Sequence, residues 1–72
     1  MTRTDFTQKL NALGILAPPV HFENTAADGY YVLKNLHRWE VFYRERGADE
    51  DYLGFPTEAD ALDYLLQKLT KA

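Results

Sequence analysis

Two segments of alternating side chains, separated by a very short link, limit this chain to folds that contain a β-hairpin. They read Gly-Tyr-Tyr-Val-Leu-Lys over 29–34 and Arg-Trp-Glu-Val-Phe-Tyr-Arg-Glu-Arg over 38–46. Both are rich in the aromatic and β-branched residues that favour strands. Because only residues 35–37 separate them, the two strands are predicted to be adjacent and antiparallel.

The alternation also predicts the register of this hairpin. If Asn35 lies opposite Arg38, then Val32 lies opposite Val41. A slip of one residue would mix the two sets of side chains, so the pattern favours this register or one two residues away. One sheet face then carries Tyr30, Val32, Trp39, Val41 and Tyr43, and the other carries Tyr31, Leu33, Glu40, Phe42 and Arg44.

The rest of the chain supplies a third strand and two helices. Apolar residues at helical spacing predict helices over 4–13, beginning at an N-cap Thr4, and over 57–70. Residues 51–55 are predicted to form a strand and residues 14–28 a loop, within which 20–23 is compatible with an extra edge strand.

The predicted fold class is therefore α+β, a small three-stranded antiparallel sheet flanked by two helices in the order α-β-β-β-α. With 72 residues, the chain is predicted to be one domain over 1–72. If both helices cover one sheet face, the other face is left open. That open face would show Tyr31, Leu33, Phe42 and Tyr52, bordered by Glu40 and Arg44.

Negative charge is concentrated in one part of the sequence. The formal net charge is −3, yet residues 47–66 contain six acidic residues and no Lys or Arg. Such a surface suits a positively charged partner, because complementary charge raises the encounter rate and selects the partner. The acids are also compatible with a simpler interpretation, in which they only keep a helix and a loop solvated.

Groups that carry out chemistry are scarce. The chain contains no Ser and no Cys, and its two histidines, His21 and His37, lie far apart without metal-ligand spacing. We therefore expect no catalytic, cofactor-binding or metal-binding residues and no enzymatic activity. The first residues contain no apolar signal segment and no stretch is long enough to span a membrane, so a cytoplasmic location is expected.

A protein partner is the remaining expectation. The open aromatic face and the acidic residues beside it are predicted to form one binding surface on a monomer that binds its partner 1:1. Its candidate residues are Tyr31, Phe42, Arg44, Arg46, Asp49, Glu50, Asp51 and Tyr52.

The order α-β-β-β-α is also that of double-stranded-RNA-binding domains. In that family the last helix begins with a cluster of lysines that contacts phosphates. Here the same place reads Thr57-Glu-Ala-Asp60, which would repel RNA. Nucleic acid is therefore not expected as the partner.

Three stretches of the sequence resemble small immunity proteins of bacterial polymorphic-toxin systems. They are Gly29-Tyr-Tyr-Val-Leu, Trp39-Glu-Val-Phe-Tyr-Arg-Glu-Arg-Gly47 and Phe55-Pro-Thr-Glu-Ala-Asp-Ala-Leu-Asp-Tyr-Leu-Leu66. The resemblance covers about residues 29–70 and implies a protein that binds and blocks a cognate toxin inside the producing cell.

The same resemblance implies a toxin partner used in interbacterial competition, such as an NAD(P)+ glycohydrolase. A nuclease toxin also fits the acidic residues. The alternative hypothesis is a small regulatory or scaffold domain that forms a homodimer through its open sheet face. A further alternative is that the segment 18–27 folds across that face.

Overall fold

The central hairpin forms with the predicted register. In the computed structural model of the protein, which describes residues 1–14 and 19–70, strand β2 is Gly29–Asn35 and strand β3 is Arg38–Glu45. Val32 pairs with Val41 and Asn35 with Arg38, as the alternation predicts. The two remaining residues, 36 and 37, form the turn.

The next strand, β4, is Ala48–Phe55 and pairs antiparallel with β3. It begins three residues before the predicted position 51, because Arg46 and Gly47 alone make the turn. Their φ angles of 52° and 81° belong to the left-handed conformations that match the twist of a tight hairpin.

The pairing between β3 and β4 contains a β-bulge. Val41 pairs with Leu53 and Tyr43 with Glu50, so Asp51 and Tyr52 together lie opposite the single residue between them on β3. Asp51 adopts a φ of 57°, a left-handed conformation that Asp tolerates better than most residues. The bulge interrupts the strand pairing at the end of the acidic residues 49–51.

A fourth strand precedes this meander, so the prediction of three strands in a purely antiparallel sheet is wrong. Strand β1, Val20–His21, pairs in parallel with β2 and lies within the segment that the sequence marked as compatible with an edge strand. The Tyr30 N–H donates to the Pro19 carbonyl oxygen at 2.9 Å. This close approach depends on Gly29, where a Cβ atom would lie 2.5 Å from the same oxygen. The sheet order is β1-β2-β3-β4.

Two helices complete the α+β fold. Helix α1 is Arg3–Ala12, and its N-cap is Thr2, in place of the predicted Thr4, because Thr2 and Asp5 form a reciprocal capping box. Helix α2 is Glu58–Thr70, and the Thr57 hydroxyl oxygen accepts from the Asp60 N–H at 3.1 Å, as predicted for its cap. The predicted loop 14–28 includes residues 15–18, which lie outside the described residues.

The apolar core lies between the helices and one sheet face, called here the helix face. Trp39 and Tyr30, from the strand set predicted to face inward, pack against this core while remaining partly exposed. The fully enclosed residues come from both helices and the two central strands: Phe6, Val32, Val41, Ala61, Leu62 and Leu65. None of the described helices is long and apolar enough to cross a membrane.

Candidate partner-binding surface

The sheet face opposite the helices, called here the loop face, is covered by the chain itself. Tyr31 and Phe42 were predicted to be exposed there, but their exposed fractions are 0% and 2%. The Tyr31 hydroxyl lies 2.9 Å from the carbonyl oxygen of Thr25 and 2.6 Å from that of Ala27. Residues 24–27, called here the covering segment, thus lie against the Tyr31 hydroxyl and help to hide this residue.

An aromatic stack crosses the loop face, with one ring from each strand. Ring centroids are 4.9 Å apart for His21 and Tyr31, 5.1 Å for Tyr31 and Phe42, and 4.5 Å for Phe42 and Tyr52. Tyr52 was predicted to share a face with Tyr31 and Phe42, and this is confirmed. Tyr52 ends the stack at the edge of the sheet and is 51% exposed.

Arg44 holds the covering segment onto this stack. Its guanidinium carbon lies 4.5 Å from the centroid of the Tyr31 ring, and its Nη1 donates to Asn24 Oδ1 at 2.8 Å and to the Thr25 carbonyl oxygen. A planar guanidinium can stack on an aromatic ring while donating hydrogen bonds in its own plane. The interpretation of Arg44 as an exposed rim residue is therefore wrong, because its side chain lies flat beneath the segment.

Asp49 pairs with Arg44 across strands β3 and β4. Arg44 donates from Nε to Oδ1 at 2.7 Å and from Nη2 to Oδ2 at 3.2 Å, a two-pronged contact. This hydrogen bonding lowers the pKa of the Asp49 carboxyl and raises the pKa of Arg44. The negative charge of Asp49 is thus largely neutralised by Arg44 within the molecule.

The other acids divide into paired and unpaired groups. Asp51 Oδ2 lies 3.8 Å from Lys68 Nζ, and Glu58 Oε2 lies 2.8 Å from Arg3 Nε. Within residues 1–14 and 19–70, no ion-pair partner is found for Glu50, Asp60 or Asp63. The acidic segment therefore keeps a net negative surface after its internal pairs are counted.

Two tyrosines near these acids, Tyr43 and Tyr52, have pKa values above the ordinary value for tyrosine. Burial raises the pKa of Tyr43, and the carboxylates of Glu45 and Asp28 raise it further. Burial also raises the pKa of Tyr52, followed by the charge of Asp49. Burial is thus the larger cause of both pKa shifts, nearby carboxylates add to it, and Arg44 opposes it at Tyr52.

Strand β4 is the most exposed regular element of the sheet. Every residue from Ala48 to Gly54 is exposed, including the candidates Glu50, Asp51 and Tyr52. Leu53, which the list of candidate residues omits, is 42% exposed on the face opposite to Tyr52. Arg46 is exposed in the turn before β4, and its backbone N–H donates to Asp28 Oδ1 at 3.0 Å.

The turn between β2 and β3 presents a residue that the sequence did not single out. Leu36 is 83% exposed and has a φ of 57°, a left-handed conformation rarely adopted by Leu. The tight link predicted this turn, but no periodic pattern marks which of its side chains faces solvent.

Other parts of the described structure offer little for catalysis. A cleft of about 470 Å³ lies between the C-terminal ends of the two helices, and among the described residues Lys9 is the only charged one that lines it. Among the described residues, no group of three His, Asp or Glu side chains is placed to hold a metal ion. The arrangement at β4 instead provides exposed charge and exposed apolar surface, which suit binding.

Comparison with known proteins gives no matching family, no similar curated protein and no matching solved structure. The resemblance of residues 29–70 to immunity proteins therefore stays a hypothesis carried by the sequence alone.

Proposed function

We propose that this chain is an immunity protein that binds a cognate antibacterial toxin in the cytoplasm and occludes its active-site cleft. The observation that supports this most directly is β4, which is exposed over almost its whole length, carries acidic residues and displays Tyr52 and Leu53. Exposed aromatic and aliphatic side chains can supply the buried anchors that dominate interface energy.

Charge supports a basic cleft as the target. Among the described residues, Glu50 has no ion-pair partner and Asp51 pairs only with Lys68, at 3.8 Å. Clefts that bind nucleotides or nucleic acids are positively charged, so an acidic strand would be attracted to their rim. An NAD(P)+ glycohydrolase is the toxin class that the resemblance implies, and a nuclease is the second candidate.

The covered loop face changes the roles within the proposed surface. Tyr31 and Phe42 are buried and stack behind Tyr52, so they position the exposed ring and do not themselves touch a partner. Arg44 and Asp49 act in the same indirect way, by closing the covering segment. The contacting residues in this proposal are Arg46, Glu50, Asp51, Tyr52 and Leu53.

The homodimer hypothesis loses its main support for the same reason. It requires an open loop face, whereas the covering segment and Arg44 occupy that face. No other observation favours it.

The experiment is co-expression with the protein encoded by the neighbouring gene, which this proposal expects to be the toxin. We expect cells carrying the toxin and this chain to survive, and cells carrying the toxin alone to die. Tyr52→Ala should speed dissociation of the complex by roughly tenfold or more, because about 1.4 kcal/mol corresponds to a factor of ten. Tyr64→Ala, on α2, is a comparison variant of the same chemical change.

Two results together would overturn the proposal. They are death of the cells that co-express both proteins, and no complex between the purified proteins at micromolar concentration. Protection without any effect of Tyr52→Ala would instead move the interface away from β4.

A further inference from the structure

Strand β4 has one edge without a partner strand. It pairs with β3 on one side and is the last strand in the sheet order. No strand among residues 1–14 and 19–70 pairs with its outer edge. An unpaired edge presents rows of N–H and C=O groups that can pair with another chain.

The register shows which backbone groups point outward. Glu45 and Ala48 close the two-residue turn as a hydrogen-bonded pair, and hydrogen-bonded and non-hydrogen-bonded pairs alternate along an antiparallel ladder. Asp49, opposite Arg44, and Gly54, opposite Glu40, therefore occupy non-hydrogen-bonded positions. Their N–H and C=O groups face away from β3, one on each side of the bulge.

The side chains along this edge divide into two halves. Residues 49–51 are acidic on both faces of the sheet, whereas Tyr52 and Leu53 are large and exposed on opposite faces. A strand that matches this edge would be basic at one end and apolar at the other. The order of its halves depends on whether it pairs parallel or antiparallel.

Pairing of β4 with a second copy of itself is disfavoured. In a parallel self-pair, or an antiparallel one centred on Glu50, two acidic segments would lie one strand spacing apart, about 5 Å, and like charges opposite each other destabilise a sheet. An antiparallel self-pair centred elsewhere gives these acids no basic partner. The other sheet edge, β1, is only two residues long and offers little to pair with. Charge complementarity thus selects a different, basic strand as the occupant of the β4 edge.

From this we infer that the outer edge of β4 accepts an extended, basic segment of the partner protein as an added antiparallel strand. Basic side chains would lie beside Glu50 and Asp51, and apolar side chains beside Tyr52 and Leu53. This inference rests on the proposed function for the identity of the partner, but the pairing itself can be tested without the toxin.

The test uses the full chain labelled with ¹⁵N and titrated with short capped peptides. The probe Val-Thr-Val-Thr-Lys-Arg-Lys places basic residues beside the acidic half in the antiparallel direction. The reversed peptide Lys-Arg-Lys-Thr-Val-Thr-Val has the same composition. The peptide Val-Thr-Pro-Thr-Lys-Arg-Lys keeps the charge but interrupts the strand.

We expect chemical-shift changes confined to residues 48–55. The amide hydrogens of Asp49 and Gly54 should exchange about tenfold more slowly when the probe is bound, since exchange then requires opening of the added pair. The reversed and proline-containing peptides should bind more weakly than the probe.

A pair of charge variants gives the matched control. Glu50→Gln with Asp51→Asn should weaken the probe about threefold to tenfold, because each cross-strand charge pair contributes modestly. Asn also tolerates the left-handed conformation at position 51. Asp60→Asn with Asp63→Asn removes the same charge from α2, and should change the affinity less than about twofold because these acids lie off the edge.

Equal binding of all three peptides, or shift changes outside β4, would overturn the inference by showing charge attraction without strand pairing. Absence of any binding at millimolar peptide would also overturn it, leaving the acids as protection against aggregation. Pairing of the probe in a chain that fails to protect cells refutes the proposed function alone. If the chain protects cells but its β4 does not bind the probe, the added-strand inference is refuted and the proposed function is not.

Discussion

At the two central strands, the two faces of the sheet are equally well buried but by different means. On the helix face, Val32 and Val41 are covered by apolar side chains of α1 and α2. On the loop face, Tyr31 is covered by a polar segment that Arg44 holds in place, and Phe42 lies between the rings of Tyr31 and Tyr52. One face is enclosed by the hydrophobic effect, and the other also needs hydrogen bonds and cation–aromatic contacts.

This difference shows that an aromatic strand face is not by itself a sign of an open surface. Tyrosine has a hydroxyl that needs a partner when buried, and a loop can supply backbone carbonyls to it. The covering segment does so at Thr25 and Ala27. The two faces should therefore respond differently to substitution.

The largest effect is expected on the helix face. Leu65→Ala should lower the free energy of unfolding by about 2–5 kcal/mol, because Leu65 is fully enclosed and its loss leaves a cavity. The measurement is urea denaturation. Leu53→Ala makes the same chemical change at a 42% exposed position and should cost far less. Equal costs would show that enclosure of Leu65 against the sheet does not determine the size of the effect.

The next effect is expected where Arg44 closes the loop face. Arg44→Lys keeps the charge but loses the planar group that stacks on Tyr31 and reaches Asn24 and Asp49 together. Amide exchange in the covering segment should become roughly tenfold faster, since its opening becomes easier. Arg46→Lys, in the exposed turn, is the matched control and should leave that exchange unchanged. If both variants behave like wild type, another group holds the segment.

A smaller effect is expected from one hydroxyl. Tyr31→Phe should lower the free energy of unfolding by about 1–2 kcal/mol, because the single hydroxyl hydrogen shared by the carbonyl oxygens of Thr25 and Ala27 is lost in a partly buried place. Thermal and urea unfolding would measure it. Tyr52→Phe removes the same atom from a half-exposed ring and should be nearly neutral. A neutral Tyr31→Phe would mean that water replaces the lost contact.

The smallest effect is a pH dependence confined to the loop face. The pKa of Asp49 is lowered in the folded protein by hydrogen bonding from Arg44. The unfolded state therefore binds more protons, so this pair stabilises the fold above the ordinary Asp pKa of about 4 and loses that contribution as pH falls further. The stability difference between wild type and Asp49→Asn should shrink below about pH 4. A difference that is constant with pH would exclude the pair as its source.

The sequence predicts the helix face and the hairpin register well, because both depend on periodic side chains. Val32, Val41 and the leucines of α2 occupy the places that their spacing indicates. The start of β4 is mispredicted because Asp and Glu are poor strand formers. There, the tight turn at Arg46 and Gly47 outweighs the weak preference and extends the pairing to Ala48.

The candidate surface is predicted only in part. Exposure of Glu50, Asp51 and Tyr52 follows from charge and alternation, and the structure agrees. Burial of Tyr31 and the half-buried position of Arg44 depend on hydrogen bonds to Asn24, Thr25 and Ala27, which have no periodic pattern. The sequence marks the covering segment as one alternative among several, and only the three-dimensional arrangement distinguishes them.

The placement of Leu62 and Leu65 in the core also affects how the chain folds while it is being translated. The two-residue turns let β2, β3 and β4 pair as soon as they have emerged from the ribosome, since these contacts are local. The core that covers their apolar face is contributed largely by α2, which is translated later. Until α2 has been translated, the apolar face of the nascent strands is exposed to solvent. We expect chaperones to contact the chain during that interval.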